Sequence, residues 1–139
     1  MKIVIVGDGK VGFALTAQLA QEGHDIVVID NNKKVLQESA EQLDVMVVHG
    51  NGAGVKAQKQ AGVEDADLLI AATSADEINL LCCIVARKLG SAHTIARVRN
   101  PEYVEQIYFL KDELGLSMTI NPELAASRVI SRLLQFPSF

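Results

Sequence analysis

The stretch Gly7-Asp8-Gly9-Lys10-Val11-Gly12 follows directly on the apolar run Ile3-Val4-Ile5-Val6, and a second apolar run, Ile26-Val27-Val28-Ile29, closes on Asp30. Glycines at GxGxxG spacing occur by chance and in ordinary turns. They become informative when a strand precedes them, a helix follows, and an acidic residue ends the next strand. All three conditions hold here. The first glycine permits a tight strand-to-helix turn, the second lets backbone approach a pyrophosphate, and the third lets helix and strand pack closely. A helix opening near Val11 would aim its unpaired N–H groups and positive dipole end at phosphates. The pattern predicts a dinucleotide site, with Gly7, Asp8, Gly9, Lys10, Val11 and Gly12 as its phosphate turn.

A carboxylate at Asp30 can accept hydrogen bonds from both hydroxyls of an adenosine ribose, and it would repel a 2′-phosphate. This favours NAD(H) over NADP(H), a preference softened by the nearby Lys33 and Lys34. Asp30 could instead simply cap the helix beginning near Asn32, since Asp is a preferred N-cap. A P-loop requires four residues between its glycines and a Gly-Lys-Ser/Thr ending, which Lys10-Val11 does not supply. A methyltransferase also carries an acidic residue after its second strand, usually with a shorter glycine pattern that lacks the third glycine.

With 139 residues the chain has the size of one domain, so residues 1–139 are read as a single nucleotide-binding unit. A hydrophobic content of 49% suits a sheet buried on both faces. The net charge of −4 and the lack of a basic tract argue against nucleic acid or an anionic membrane surface as partner. No apolar stretch is long enough for a membrane span, and the first residues do not form a signal peptide, so a cytoplasmic location is expected. Cys82 and Cys83 adjoin within a helical pattern and read as buried thiols, not as a disulfide or metal pair.

Strand-like segments fall at about 2–6, 25–29, 45–48, 67–72, 93–98 and 118–120, alternating with helix-like segments at about 11–22, 32–42, 53–61, 75–89, 101–113 and 122–135. Such alternation predicts an α/β, Rossmann-type doubly wound sheet of six parallel strands in the order 3-2-1-4-5-6. Ser74-Ala75-Asp76-Glu77 has capping-box spacing, while Asn100-Pro101 and Asn121-Pro122 each pair an N-cap with proline at the first helical position. The last helical segment stops at Phe136-Pro137-Ser138-Phe139 without a polar tail, as expected of a domain excised from a longer chain.

The segment Ile78-Asn79-Leu80-Leu81-Cys82-Cys83-Ile84-Val85-Ala86 is apolar all round. One face must pack on the sheet. The opposite face needs cover, either from neighbouring elements or, as we expect, from a two-fold subunit contact. A hydride-transfer enzyme would need in addition a substrate domain and a placed acid or base. Of the three histidines, only His49 is expected near the site, and no Ser-His-Asp, Cys-His or HExxH constellation is present. A non-enzymatic binding module acting by population shift is therefore expected, with adenine nucleotides such as ATP and ADP as further ligands. The cofactor-binding half of an NAD-dependent oxidoreductase is the alternative.

The glycine turn, Val48-His49-Gly50-Asn51-Gly52, Ala71-Ala72-Thr73-Ser74-Ala75-Asp76-Glu77-Ile78-Asn79 and Ile95-Ala96-Arg97-Val98-Arg99-Asn100-Pro101 together resemble the Trk-type potassium-uptake regulatory proteins and their RCK or KTN nucleotide-binding domain. The resemblance spans the whole chain. It implies a regulatory subunit responsive to NAD(H), built as dimers that can join into a ring. Such a subunit docks on a membrane-embedded potassium transporter, peripheral to the inner face of the cell membrane. Carried over by residue, it puts Gly7 to Val11 on the pyrophosphate and Asp30 on the adenosine ribose. Asn51 and Gly52 come beside adenine, Thr73 and Ser74 by the nicotinamide-side ribose, and Arg97 towards phosphate. Lys10 stands where many relatives carry arginine; it keeps the charge and loses the planar fork. Glu123 stands where some relatives place an acidic residue near a cation, although capping and dipole complementarity explain it equally well.

Overall fold

The computed structural model describes residues 1–114 and 118–120. Its strands are β1 (Lys2–Val6), β2 (Asp25–Asp30), β3 (Met46–His49), β4 (Leu68–Ala71), β5 (His93–Arg97) and β6 (Met118–Ile120). The helices are α1 (Lys10–Gln21), α2 (Lys33–Gln42), α3 (Val55–Gln60), α4 (Asp76–Leu89), α5 (Pro101–Phe109) and α6 (Lys111–Leu114). A 3-10 turn, Val63–Asp65, leads into β4. The strands form one sheet in the expected order β3-β2-β1-β4-β5-β6, and every neighbouring pair is parallel.

Alternation along the strands divides the core in two. Val4, Val6, Val27, Ile29, Leu69 and Ala71 face one side, where Ala57 of α3 and Cys82, Cys83 and Ala86 of α4 cover them. Ile3, Ile5, Ile26, Val28, Leu68 and Ile70 face the other, under Leu15 and Leu19 of α1 and Leu36 of α2. Strand order reverses between β1 and β4, in register Ile3↔Leu68 to Val6↔Ala71. The turns leaving these two strands therefore diverge to opposite faces and leave a crevice above their carboxyl ends.

Two local expectations fail. The segment 101–113 is not one helix: α5 ends at Phe109, Leu110 closes it with its N–H on the Gln106 carbonyl, and the short α6 follows. The Ser74–Glu77 capping box does not form. The N-cap of α4 is Ala75, which offers no side-chain acceptor, and the Thr73 hydroxyl and Asn79 organise the turn instead. Asn100 caps α5 as expected, accepting from the Glu102 N–H at 2.9 Å with Pro101 in the first turn. The segment 122–135, its Asn121-Pro122 start, Glu123 and the closing Phe136–Phe139 lie outside the described residues.

Helix α4 buries Asn79, Cys82, Cys83 and Ala86. Burial pushes the Cys82 thiol up to about 12 and the Cys83 thiol still higher, so both stay protonated and inert. The outward face keeps Ile78, Leu81 and Ile84 at 39%, 46% and 39% exposure. Leu81 and Ile84 border a cleft that they share with Ile107 and Leu110 at the end of α5. Among the described residues, no helix is long and apolar enough to cross a membrane.

Candidate nucleotide-binding site

The glycine turn is built as its sequence demands. Gly7 has φ +101°, a left-handed backbone that disfavours a side chain, and a Cβ there would stand 3.0 Å from the Ala72 and Thr73 backbone. A Cβ on Gly12 would strike the Gly7 carbonyl, so the third glycine lets α1 approach the turn. Gly9 differs: a Cβ there meets nothing within 4 Å and would project into open space. Gly9 is also the N-cap of α1, and no side chain caps the helix. The first-turn N–H groups therefore remain available to a ligand.

These groups open onto a cavity of about 580 Å³ above the β1/β4 crevice, well within the range for small-molecule sites. Gly7, Gly9, Lys10, Val11 and Asp30 line it, as do Asn51, Gly52, Thr73, Ser74 and Arg97. Two candidates do not. Gly12 works behind the turn, and the Asp8 side chain turns away to accept from the Ser39 hydroxyl of α2 at 2.5 Å. The cavity adds Asn31, Gly50, Ala75 and Ile78, which the sequence reading did not assign to it. His49 stays outside, with its Nε2 3.0 Å from the Asn31 carbonyl, and lines a shallower recess beside Gly50 and Asn51.

Asp30 does not cap α2. That role belongs to Asn32, whose Oδ1 accepts from the Lys34 and Val35 N–H groups. The Asp30 carboxylate instead accepts the Asp8 N–H on Oδ2 at 2.7 Å and the Asn32 N–H on Oδ1 at 2.8 Å. Each oxygen has a second acceptor position, so the pair is oriented and still able to receive two hydroxyls.

The far side of the cavity is organised by two buried amides. Asn79 accepts from the Thr73 N–H and hydroxyl and donates to the Thr73 and Arg97 carbonyls, joining the β4–α4 turn to the end of β5. Gln58 of α3 donates to the Gly52 carbonyl at 2.9 Å and the Cys82 carbonyl at 3.0 Å, fixing the loop after β3 on α4. Gly52 itself lies against Val6, where a Cβ would clash. The half-buried Arg97 donates from Nη1 to the Thr73 carbonyl at 2.9 Å. Its buried Nε has no acceptor among the described residues. Burial first, and the neighbouring Arg99 second, lower its pKa, while Asp76 opposes them; a guanidinium keeps its charge through such a shift. The crevice thus holds one oriented carboxylate, an uncapped helix start and two cations, Lys10 and Arg97.

The sequence model of the TrkA-N domain family matches residues 3–122. The chain belongs to the TrkA-N domain family. It is 39% identical over 137 residues to a Trk system potassium uptake protein TrkA homolog of Archaeoglobus fulgidus, covering 99% of this chain and 31% of the relative. A second TrkA homolog, from Methanothermobacter thermautotrophicus, is 36% identical over 137 residues, 62% of that relative. The chain thus spans from about a third to under two thirds of these curated relatives. Among solved structures, the TrkA-N domain of the Escherichia coli inner membrane protein ybaL superposes with a TM-score of 0.78 at 26% identity, covering 96% of each chain. The fold recurs in the GsuK channel bound to NAD, with a TM-score of 0.72 at 24% identity, covering 86% of this chain and 21% of that one. It recurs also in the Kef CTD of Shewanella denitrificans in its AMP-bound form, with a TM-score of 0.72 at 21% identity, covering 99% and 84%.

Proposed function

We propose that this TrkA-N domain is a non-enzymatic, NAD(H)-binding regulatory module of a potassium-uptake system, with adenine nucleotides as competing ligands. The observation that carries the reading is a single cavity lined by both the uncapped start of α1 and the oriented Asp30 carboxylate. A pyrophosphate fits the free N–H groups and the open space at Gly9; a ribose diol fits the two remaining acceptor positions of Asp30. Adenine then lies by Asn51 and Gly52, and the second ribose by Thr73 and Ser74. Lys10 and Arg97 supply charge to the phosphates. Relatives that bear the potassium-uptake name, and neighbours of the same fold bound to NAD or AMP, support this assignment.

Output in this reading is conformational. Ile78 lines the nucleotide cavity and is also exposed on the outer face of α4, beside Leu81 and Ile84. Two copies of the chain pack through that face, as a dimer that can extend to a ring. The nucleotide shifts the geometry between them and so controls a membrane-embedded potassium transporter from the cytoplasmic side. The test is calorimetric titration with NAD⁺, NADH, ADP and ATP, together with spin-label distances between subunits in NAD⁺, NADH and ATP. We expect binding and ligand-dependent distances. No binding by any nucleotide overturns the site, and identical distances in all three overturn the switch.

A further inference from the structure

Asp8 is the one residue of the glycine turn whose side chain leaves the cavity, and its surroundings are unusual for a carboxylate. The residue is 3% exposed. Its Oδ2 accepts the Ser39 hydroxyl, while its buried Oδ1 has no hydrogen-bond donor among the described residues. Buried polar atoms are generally satisfied, and an ionised carboxylate oxygen left without a partner costs far more than a neutral carboxyl group in the same place. The charges that bear on Asp8 from the elements packed around it are both negative: Asp30 at the end of β2 and Glu38 on α2. Lys10, two residues along its own turn, is exposed. Burial is the largest influence and raises the carboxyl above its ordinary range; the Ser39 hydrogen bond pulls it back, and Asp30 and Glu38 push it further up.

The backbone links this group directly to the ligand site. The Asp8 N–H is held by Asp30 Oδ2, and the residues on either side, Gly7 and Gly9, line the cavity. Ser39 anchors the side chain to the same helix whose N-cap, Asn32, donates its N–H to the other oxygen of Asp30. Phosphate turn, ribose carboxylate and α2 are therefore one hydrogen-bonded unit with Asp8 at its centre. An ionised Asp8 adds a negative charge immediately behind a turn that must attract a pyrophosphate. A protonated Asp8 leaves the field of the helix start uncompensated.

We propose that Asp8 is a positioning residue whose proton is coupled to ligand binding: the protein takes up a proton at Asp8 when an anionic nucleotide enters, so affinity falls as Asp8 ionises. This rests on the nucleotide-site reading above. The proton comes from solvent and goes to the unpaired Oδ1; no other bond changes. Linkage makes the effect reciprocal, since a ligand that prefers the protonated form must raise the pH at which Asp8 titrates.

NAD⁺ is the suitable probe because its pyrophosphate does not titrate between pH 4.5 and 8, unlike the terminal phosphate of ADP. Its dissociation constant is measured across that range for the wild-type chain and for Asp8→Asn, whose side chain has similar shape and no titration. The ratio of the wild-type constant to that of Asp8→Asn is expected to rise with pH by about fivefold, the scale of one unit charge acting across a partly solvated site. A constant ratio means a merely structural Asp8 and overturns the proposal. A second measurement needs no variant: the carboxyl carbon of Asp8, followed by NMR, is expected to titrate at higher pH with NAD⁺ bound than without. An unchanged midpoint in a saturated sample overturns the coupling, whereas absence of NAD⁺ binding at every pH overturns the site reading instead.

Discussion

Thr73 and Asn79 share three hydrogen bonds: the Thr73 N–H and hydroxyl donate to Asn79 Oδ1 at 2.9 and 2.7 Å, and Asn79 Nδ2 returns one to the Thr73 carbonyl at 3.0 Å. The same Nδ2 reaches the Arg97 carbonyl at 2.9 Å. One amide thus satisfies the turn after β4 and ties it to the strand that carries the half-buried Arg97. Asn79→Ala leaves these backbone groups without partners. A loss of about 2–3 kcal/mol in unfolding free energy is expected by urea denaturation, with weaker nucleotide binding in the remaining folded protein. Unchanged stability would show that the turn holds itself.

The frame of the site was legible in the sequence because its signals are local. Alternating apolar runs located the strands, and the glycine spacing with Asp30 located the crevice, since the turn, helix start and acidic residue come from one β-α-β stretch. What was missed depends on distance. Asn79 and Gln58 sit in otherwise ordinary helical positions, and their partners Arg97 and Cys82 are eighteen and twenty-four residues away. Asp8 read as a ligand contact because its neighbours line the cavity; only the fold brings Ser39, thirty-one residues on, close enough to turn it away. The capping box at Ser74 failed for the opposite reason. Its local signal was genuine, but the Thr73 and Asn79 contacts across the turn prevail over it.

Gly9 and Gly12 should separate cleanly by substitution. Gly9→Val places a side chain in open space at a backbone conformation any residue adopts, φ −76° and ψ −162°, so the fold should survive while nucleotide binding is lost. Gly12→Ala drives a Cβ into the Gly7 carbonyl and should cost stability instead, about 1–3 kcal/mol by the usual cost of overpacking. Thermal shift with and without NADH distinguishes them. Retained nucleotide protection in Gly9→Val would move the phosphates away from this turn.

Asp30 serves two purposes, and a mutant should report both. Asp30→Ala removes the proposed ribose acceptor and also frees the Asp8 and Asn32 N–H groups that it holds. NADH affinity should fall by about 1–3 kcal/mol in calorimetry. Unaltered affinity in a folded variant would detach the carboxylate from the ligand.

The outer face of α4 can now be addressed by residue. Leu81→Glu and Ile84→Glu replace exposed side chains that also border a cleft against Ile107 and Leu110, and neither residue belongs to the buried core. Each change should leave folding stability within about 0.5 kcal/mol, as is usual for surface sites, and yield monomers by sedimentation. If the wild-type chain already sediments as a monomer at high concentration, the face does not join two copies of this domain.

Asp8 also gives a pH dependence that needs no ligand. Its carboxyl titrates above the ordinary value of 3.8 in the folded chain, chiefly because of burial, so the folded state holds a proton that the unfolded state releases. Where the native state binds more protons, stability falls with rising pH. The contribution is therefore favourable and complete below about pH 4, is lost as pH climbs towards the raised folded value, and is absent above it. Asp8→Asn has no such titration. The unfolding free energy of wild type minus that of Asp8→Asn should decrease between pH 4 and pH 7 in urea denaturation, whatever constant offset the amide introduces. A difference that increases with pH would mean that the Ser39 hydrogen bond outweighs burial and that Asp8 is held as a carboxylate.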